Sequence, residues 1–206
     1  MIAWVARDRW LPALGMPLAT EDPAVSVDVI VVSTANARAD TLAAAAYFHE
    51  GLSPKIVLPF WQPDAVDREV AALGVPWLPP TELAAAILIR KGVPREAIEV
   101  LPDPVDGLNA EIASVGRFAH ARRPRSLMFI TSRSHSRRAR WLLERSVPPG
   151  TTLVIRSSPA DAFDPETWWH SRDGSRQLAM EYLRWLNTFV LSDRWRNDAP
   201  APEPAP

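Results

Sequence analysis

No cysteine occurs among the 206 residues. Disulfides, thiolate metal sites and cysteine nucleophiles are excluded together, and the redox compartment is left open. Glycine is scarce, at 8 residues. Neither a Walker A loop nor a G-x-G-x-x-G turn is present, which argues against the usual phosphate-loop and dinucleotide sites. G-x-S-x-G is also missing, so Ser132 and His135 do not form a hydrolase elbow. The four histidines, His49, His120, His135 and His170, show no H-x-x-x-H or H-E-x-x-H spacing, and no metal site is expected. No apolar run approaches the roughly 20 residues that cross a bilayer. The start, "MIAWVARDRWLPALG", is too broken by charge for a signal-peptide core. Net charge is −1, so nothing global points to nucleic acid, and no nucleic-acid partner is expected. The chain as it stands is expected to be cytoplasmic. Membrane association, at the inner membrane, would need an upstream anchor that this chain does not carry.

What is present suits one ordinary domain. Hydrophobic residues make up 47% and charged residues 23%, as in soluble globular chains. The length is enough to bury a core. The expected organisation is an N-terminal arm or short amphipathic helix over 1–24, a single α/β domain over 25–192, and a tail over 193–206. The tail ends in "DAPAPEPAP", a composition that does not pack.

Strand and helix signals alternate. "VDVIVVST" is a β-branched run, as a strand buried on both faces requires. An Ala-rich helix follows, with Gly51 placed to end it. "PKIVLPF" is a second strand, and Asp64 is placed to cap a helix from Ala65 to Leu73. Thr81 is placed to cap "ELAAAILIRK". "AIEVLPD" is a third, weaker strand. Asp106 is expected to cap a helix from Gly107 to about Arg122. "RSLMFITS" and "TTLVIRSS" are the fourth and fifth strands, with "SHSRRARWLLERS" as the helix between them. Asp164-Pro165-Glu166 reads as a helix start. A last helix is expected from about Ser175 to Leu191, with Leu178, Tyr182, Trp185, Leu186 and Phe189 as its apolar stripe. Alternation of this kind implies right-handed βαβ units. The expected fold is an α/β Rossmann-like three-layer sandwich. Its five-stranded, mainly parallel sheet has the order 3-2-1-4-5. Ligands of such sheets bind beyond the carboxyl ends of the strands, where the order reverses.

That reversal brings "STANAR" and "TSRSHSRR" together. Asn36 and Arg38 follow strand 1; Thr131, Ser132, Ser134, His135 and Arg138 follow strand 4. A strand end feeding a helix offers free N–H groups and hydroxyl donors, suited to phosphate or carboxylate. His135 and Arg138 are three apart and share a helix face. Arg133, Arg137 and Arg140 read as a solvated face. Glu82 and Glu111 each stand near a helix start, where the dipole alone accounts for them. Facing His135, they would suit general acid–base work. Trp168-Trp169-His170 with Arg172 follow strand 5 on the same side, as a lid or as packing for the last helix.

The order of these pieces resembles the YdcF/SanA/ElyC-like family. The matching segments are "DVIVV" with Arg38 and Ala43 beyond it, "EGLSPKIVL", and Glu82 in "TELAAAILIRKGVPREAIEV". "DGLNAEIASV" with Glu111, "FITSRSHSRRAR", the tryptophan pair and "EYLRWL" with Glu181 complete the set. The resemblance covers roughly Val25 to Phe189. It implies a Rossmann-like fold, a link to the bacterial cell envelope, and a cleft made of Arg38, Glu82, Glu111, Ser132, His135 and Arg138. It also brings S-adenosylmethionine forward as a candidate cofactor, since one cytoplasmic member binds it, although no reaction is settled for the family. The chain departs from the family at two turns. "STAN" and "PFWQPD" stand where glycine-rich turns are usual, and glycines there would let backbone N–H groups approach a phosphate. The resulting expectation is a polar cleft for a small anionic ligand. The rival expectations are a non-catalytic envelope-associated scaffold and an S-adenosylmethionine-binding protein.

Overall fold

Five short runs of β-branched and apolar residues form one sheet, and their burial explains why. In β1 (Val29–Val32) every residue is buried. Side chains alternate between faces along a strand, so Ile30 and Val32 enter one core and Val29 and Val31 the other. The computed structural model describes residues 7–75 and 77–190. The proline/alanine tail, the first six residues and Leu191 lie outside them. The remaining strands are β2 (Ile56–Trp61), β3 (Ile98–Val105), β4 (Ser126–Ile130) and β5 (Thr152–Arg156). Their order is β3-β2-β1-β4-β5 and all neighbours are parallel. The expected α/β sandwich is therefore present, strand order included.

Helices cover both faces. On one side α1 (Ala37–His49) and α3 (Pro80–Arg90) supply Ala44 and Leu88 to a core with Ile30, Ile56 and Met128. On the other, α4 (Leu108–Arg122) and α5 (Arg133–Ser146) supply Val115 and Leu143 to a core with Val31, Phe129 and Ile155. Fully burying each such Val, Leu or Ile contributes about 1.5–3 kcal/mol. Gly116 sets the spacing of α4 and α5. A Cβ there would lie 2.7 Å from the Ser146 carbonyl oxygen. Helix α2 (Ala65–Ala72) buries no residue. It begins at Asp64 with a reciprocal cap, Asp67 N–H to Asp64 at 2.8 Å and Asp64 N–H to Asp67 at 3.0 Å, as expected for that position.

Four local expectations are corrected. Thr81 does not cap α3. Its hydroxyl donates to the Pro59 carbonyl at 2.8 Å and accepts the Trp61 N–H at 2.8 Å. It thereby ties α3 to the place where the β2–β3 register shifts. Asp106 does not cap α4, which starts after Gly107 without a side-chain cap. Asp164 accepts from the Glu166 N–H and the Thr167 hydroxyl. The two bonds close a turn rather than start a helix. The last helix, α6 (Arg172–Val190), begins three residues earlier than expected. The third strand spans eight residues despite Pro102 and Pro104, because it is an edge strand, where a missing N–H costs little.

The N-terminal segment docks at the opposite edge. Leu18 packs with Phe163 and Leu178, against Trp168 and Trp185. Asp22 pairs with the free edge of β5 through its N–H to the Ile155 carbonyl at 3.0 Å. Its carboxylate accepts the Ile155 N–H at 2.7 Å. An edge strand is covered in this way instead of being left open for other chains.

Candidate functional site

Strands β1 and β4 run side by side to Val32 and Ile130. Ser33 then donates its N–H to the Ile130 carbonyl at 2.9 Å, and Thr131 donates to the Arg156 carbonyl at 3.0 Å. The chain splits here, and a cleft of about 770 Å³ opens above the split. Its size suits a small molecule. Ala35, Asn36 and Arg38 line it beyond β1, Ser132, His135 and Asp161 form its floor, and Arg176, Met180 and Arg184 of α6 line it as well.

His135 reaches the cleft from the first turn of α5. Its Nδ1 lies 2.7 Å from Oε2 of Glu181. Glu181 is fully buried in α6. Burial alone would raise its pKa. Hydrogen bonds from His135 and Arg138, and their charges, outweigh burial and hold the carboxyl below the usual range. An ionised carboxylate only accepts. Nδ1 of His135 is therefore the donor, and Nε2 is the ring nitrogen left for a ligand. A carboxylate that fixes tautomer and orientation of an imidazole is a recurrent device for proton transfer.

Arg138 is held from the same point. Its Nε lies 2.6 Å from Glu181 Oε1 and its Nη2 lies 3.2 Å from Oε2. Nη1 donates to Asn109 at 3.4 Å. The arginine is buried and is engaged by these partners rather than presented to the cleft. Arg38 differs. It lines the cleft, is exposed, and has no hydrogen-bond or ion-pair partner among the described residues.

Glu111 sits behind β1. It accepts from the Ser33 hydroxyl at 2.8 Å, from the Thr34 N–H at 2.8 Å and from the Thr34 hydroxyl. Burial pushes its pKa up to about 7, against the bonds from Ser33 and Thr34 and the charge of Arg138. It therefore fixes the "STAN" turn from α4. Asp40, in the first turn of α1, is fully buried, and neither carboxylate oxygen has a partner among the described residues. Burial, with the charges of Asp161 and Glu111, pushes it up to about 8. It is therefore mostly a neutral acid at pH 7. Asp161 accepts the N–H groups of Arg133 at 3.0 Å and Phe163 at 2.7 Å, which builds it into the floor.

Of the expected residues, Asn36, Arg38, Ser132 and His135 line one cleft. Glu111 and Arg138 lie directly beneath, each buried. Thr131 is buried, and its hydroxyl has no partner. Glu82 and Arg172 are exposed at the starts of α3 and α6 and line no part of the cleft. Asp40, Asp161 and Arg176 were not among the expected residues, and Glu181 entered only through the family resemblance. Two of these carried a signal. Asp40 stands three and four residues before the buried Ala43 and Ala44, and Glu181 three residues after the buried Leu178. A carboxylate in an apolar helix stripe must be paired or neutral.

Trp61 and Trp168 do not line the cleft. The Trp168 indole N–H donates to the Leu11 carbonyl at 3.0 Å. Among the described residues no cluster of His, Asp and Glu could hold a metal ion, and no helix is long and apolar enough to cross a membrane. No family model, no curated protein and no solved structure matches the chain.

Proposed function

We propose that the chain is a divergent YdcF/SanA/ElyC-like domain. In this reading its cleft binds a small phosphate- or carboxylate-bearing ligand in bacterial cell-envelope biogenesis. One observation carries the binding reading. At the switch point of the sheet, Arg38, which has no partner among the described residues, shares a cleft with a histidine whose ring is fixed by a buried carboxylate. Arg38 supplies the fixed charge and Ser132 a hydroxyl donor. His135 Nε2 accepts a proton from the ligand, or donates to it once protonated. Arg138 acts on the ligand only through Glu181. Glu111 sets the turn that carries Asn36 and Arg38, and Glu82 has no part in this scheme.

The test is a thermal-shift panel of S-adenosylmethionine, nucleotides, sugar phosphates and short polyprenyl phosphates. A ligand at 100 times its dissociation constant stabilises the folded state by about 2.7 kcal/mol. The expected result is a shift in the wild type that is lost in Arg38→Ala. A well-folded protein that shifts with no compound would favour the scaffold reading instead.

A further inference from the structure

Three arginines line the cleft, against a single carboxylate, Asp161, which already accepts two backbone N–H groups. Arg38 comes from α1. Arg176 and Arg184 come from α6. They are eight residues apart, about 12 Å along the helix axis, with Met180 between them on the same face. Neither is strongly engaged. Arg176 meets Asp173 at 3.4 Å with both side chains about three-quarters exposed, and exposed pairs of that kind hold weakly. Arg184 stands 3.6 Å from Glu181, whose oxygens are already taken by His135 and Arg138.

Three cations gathered around one cleft repel one another while it is empty, and one small anion relieves only part of that repulsion. We infer that the ligand carries at least two linked anionic groups, as a diphosphate does, with one held by Arg38 and His135 and the other by Arg176 and Arg184. This rests on the anion-binding reading above and specifies its ligand class. The two groups play different parts. The one near His135 meets the hydroxyl of Ser132 and the fixed imidazole. The one on α6 meets guanidinium groups alone, and its contribution is charge and grip.

Calorimetric titration with inorganic phosphate and with pyrophosphate tests this on the full chain, in low-salt buffer. Pyrophosphate is expected to bind at least tenfold more tightly than phosphate. The double variant Arg176→Ala/Arg184→Ala is expected to erase that tenfold preference, weakening pyrophosphate far more than phosphate. Arg38→Ala is expected to weaken both. Both α6 side chains are substantially exposed, and a circular-dichroism melt checks that the variant folds. Equal affinity for the two anions, or an unchanged preference in the double variant, overturns the two-group ligand while leaving the anion cleft standing. Absence of binding by either anion overturns both.

Discussion

His135 and Arg138 converge on one carboxylate, with Nδ1 at 2.7 Å from Glu181 Oε2 and Nε at 2.6 Å from its Oε1. A helix turn separates the two donors in sequence. Glu181 comes from the last helix, 43 residues beyond Arg138. His135 and Arg138 of α5 are therefore locked to α6 by a single buried acid.

Removing that acid leaves a buried guanidinium without compensation. Glu181→Ala is expected to lower stability by about 3–5 kcal/mol. Replacing both partners, as Arg138→Met with Glu181→Leu, removes the unpaired charge and is expected to recover most of the loss. Urea midpoints of the single and double variants measure this. Equal losses in both would show that packing, not the unpaired charge, sets the cost.

Asp40 and Glu111 predict an unusual pH dependence. Both have folded pKa values raised above their unfolded ones, to about 8 and about 7. The folded state binds more protons than the unfolded state across that window. Stability is therefore fully present below about pH 4 as far as these two groups are concerned, and it is lost as pH rises through 7 and 8. For Asp40 alone the loss is on the order of 5 kcal/mol, at about 1.4 kcal/mol per pH unit. Asp40→Asn keeps the shape without the charge. It is expected to be more stable than wild type at pH 9 and to flatten the decline between pH 5 and pH 9. Denaturant midpoints at the two pH values, on both proteins, decide it.

Thr81 gives a smaller test, in the frame of the site. Its hydroxyl joins the Pro59 carbonyl to the Trp61 N–H where β2 and β3 change register. Thr81→Val keeps the volume and strands both backbone groups. A loss of about 1–3 kcal/mol is expected, with the first effect on amide exchange at Trp61.

Strand order and layers were legible because β-branched runs bury themselves on both faces and helical stretches alternate with them. The switch point followed, and with it Asn36, Arg38, Ser132 and His135. The helix starts were less legible. Thr81 is a sound capping residue, and tertiary demands displaced it, since it has two strand groups to satisfy. The apolar stripe of α6 was misplaced for a related reason. Leu186 and Phe189 remain exposed, while Leu178, Glu181 and Thr188 face inward. A pattern drawn from apolar residues alone assigns an inward carboxylate to solvent, and so it missed both Glu181 and Asp40. Arg176 looked like any helix surface, because only the fold brings α6 to the cleft that Ala35 and Asn36 of "STAN" line.

In the proposed reading, His135 and Arg38 meet an anion together. The most direct measurement is nitrogen NMR of the histidine rings during a pyrophosphate titration, with His135 assigned through His135→Gln. The expected result is a saturable shift of His135 Nε2, with Nδ1 protonated throughout, and loss of that shift in Arg38→Ala. A His135 ring that stays unmoved at saturating anion would contradict it.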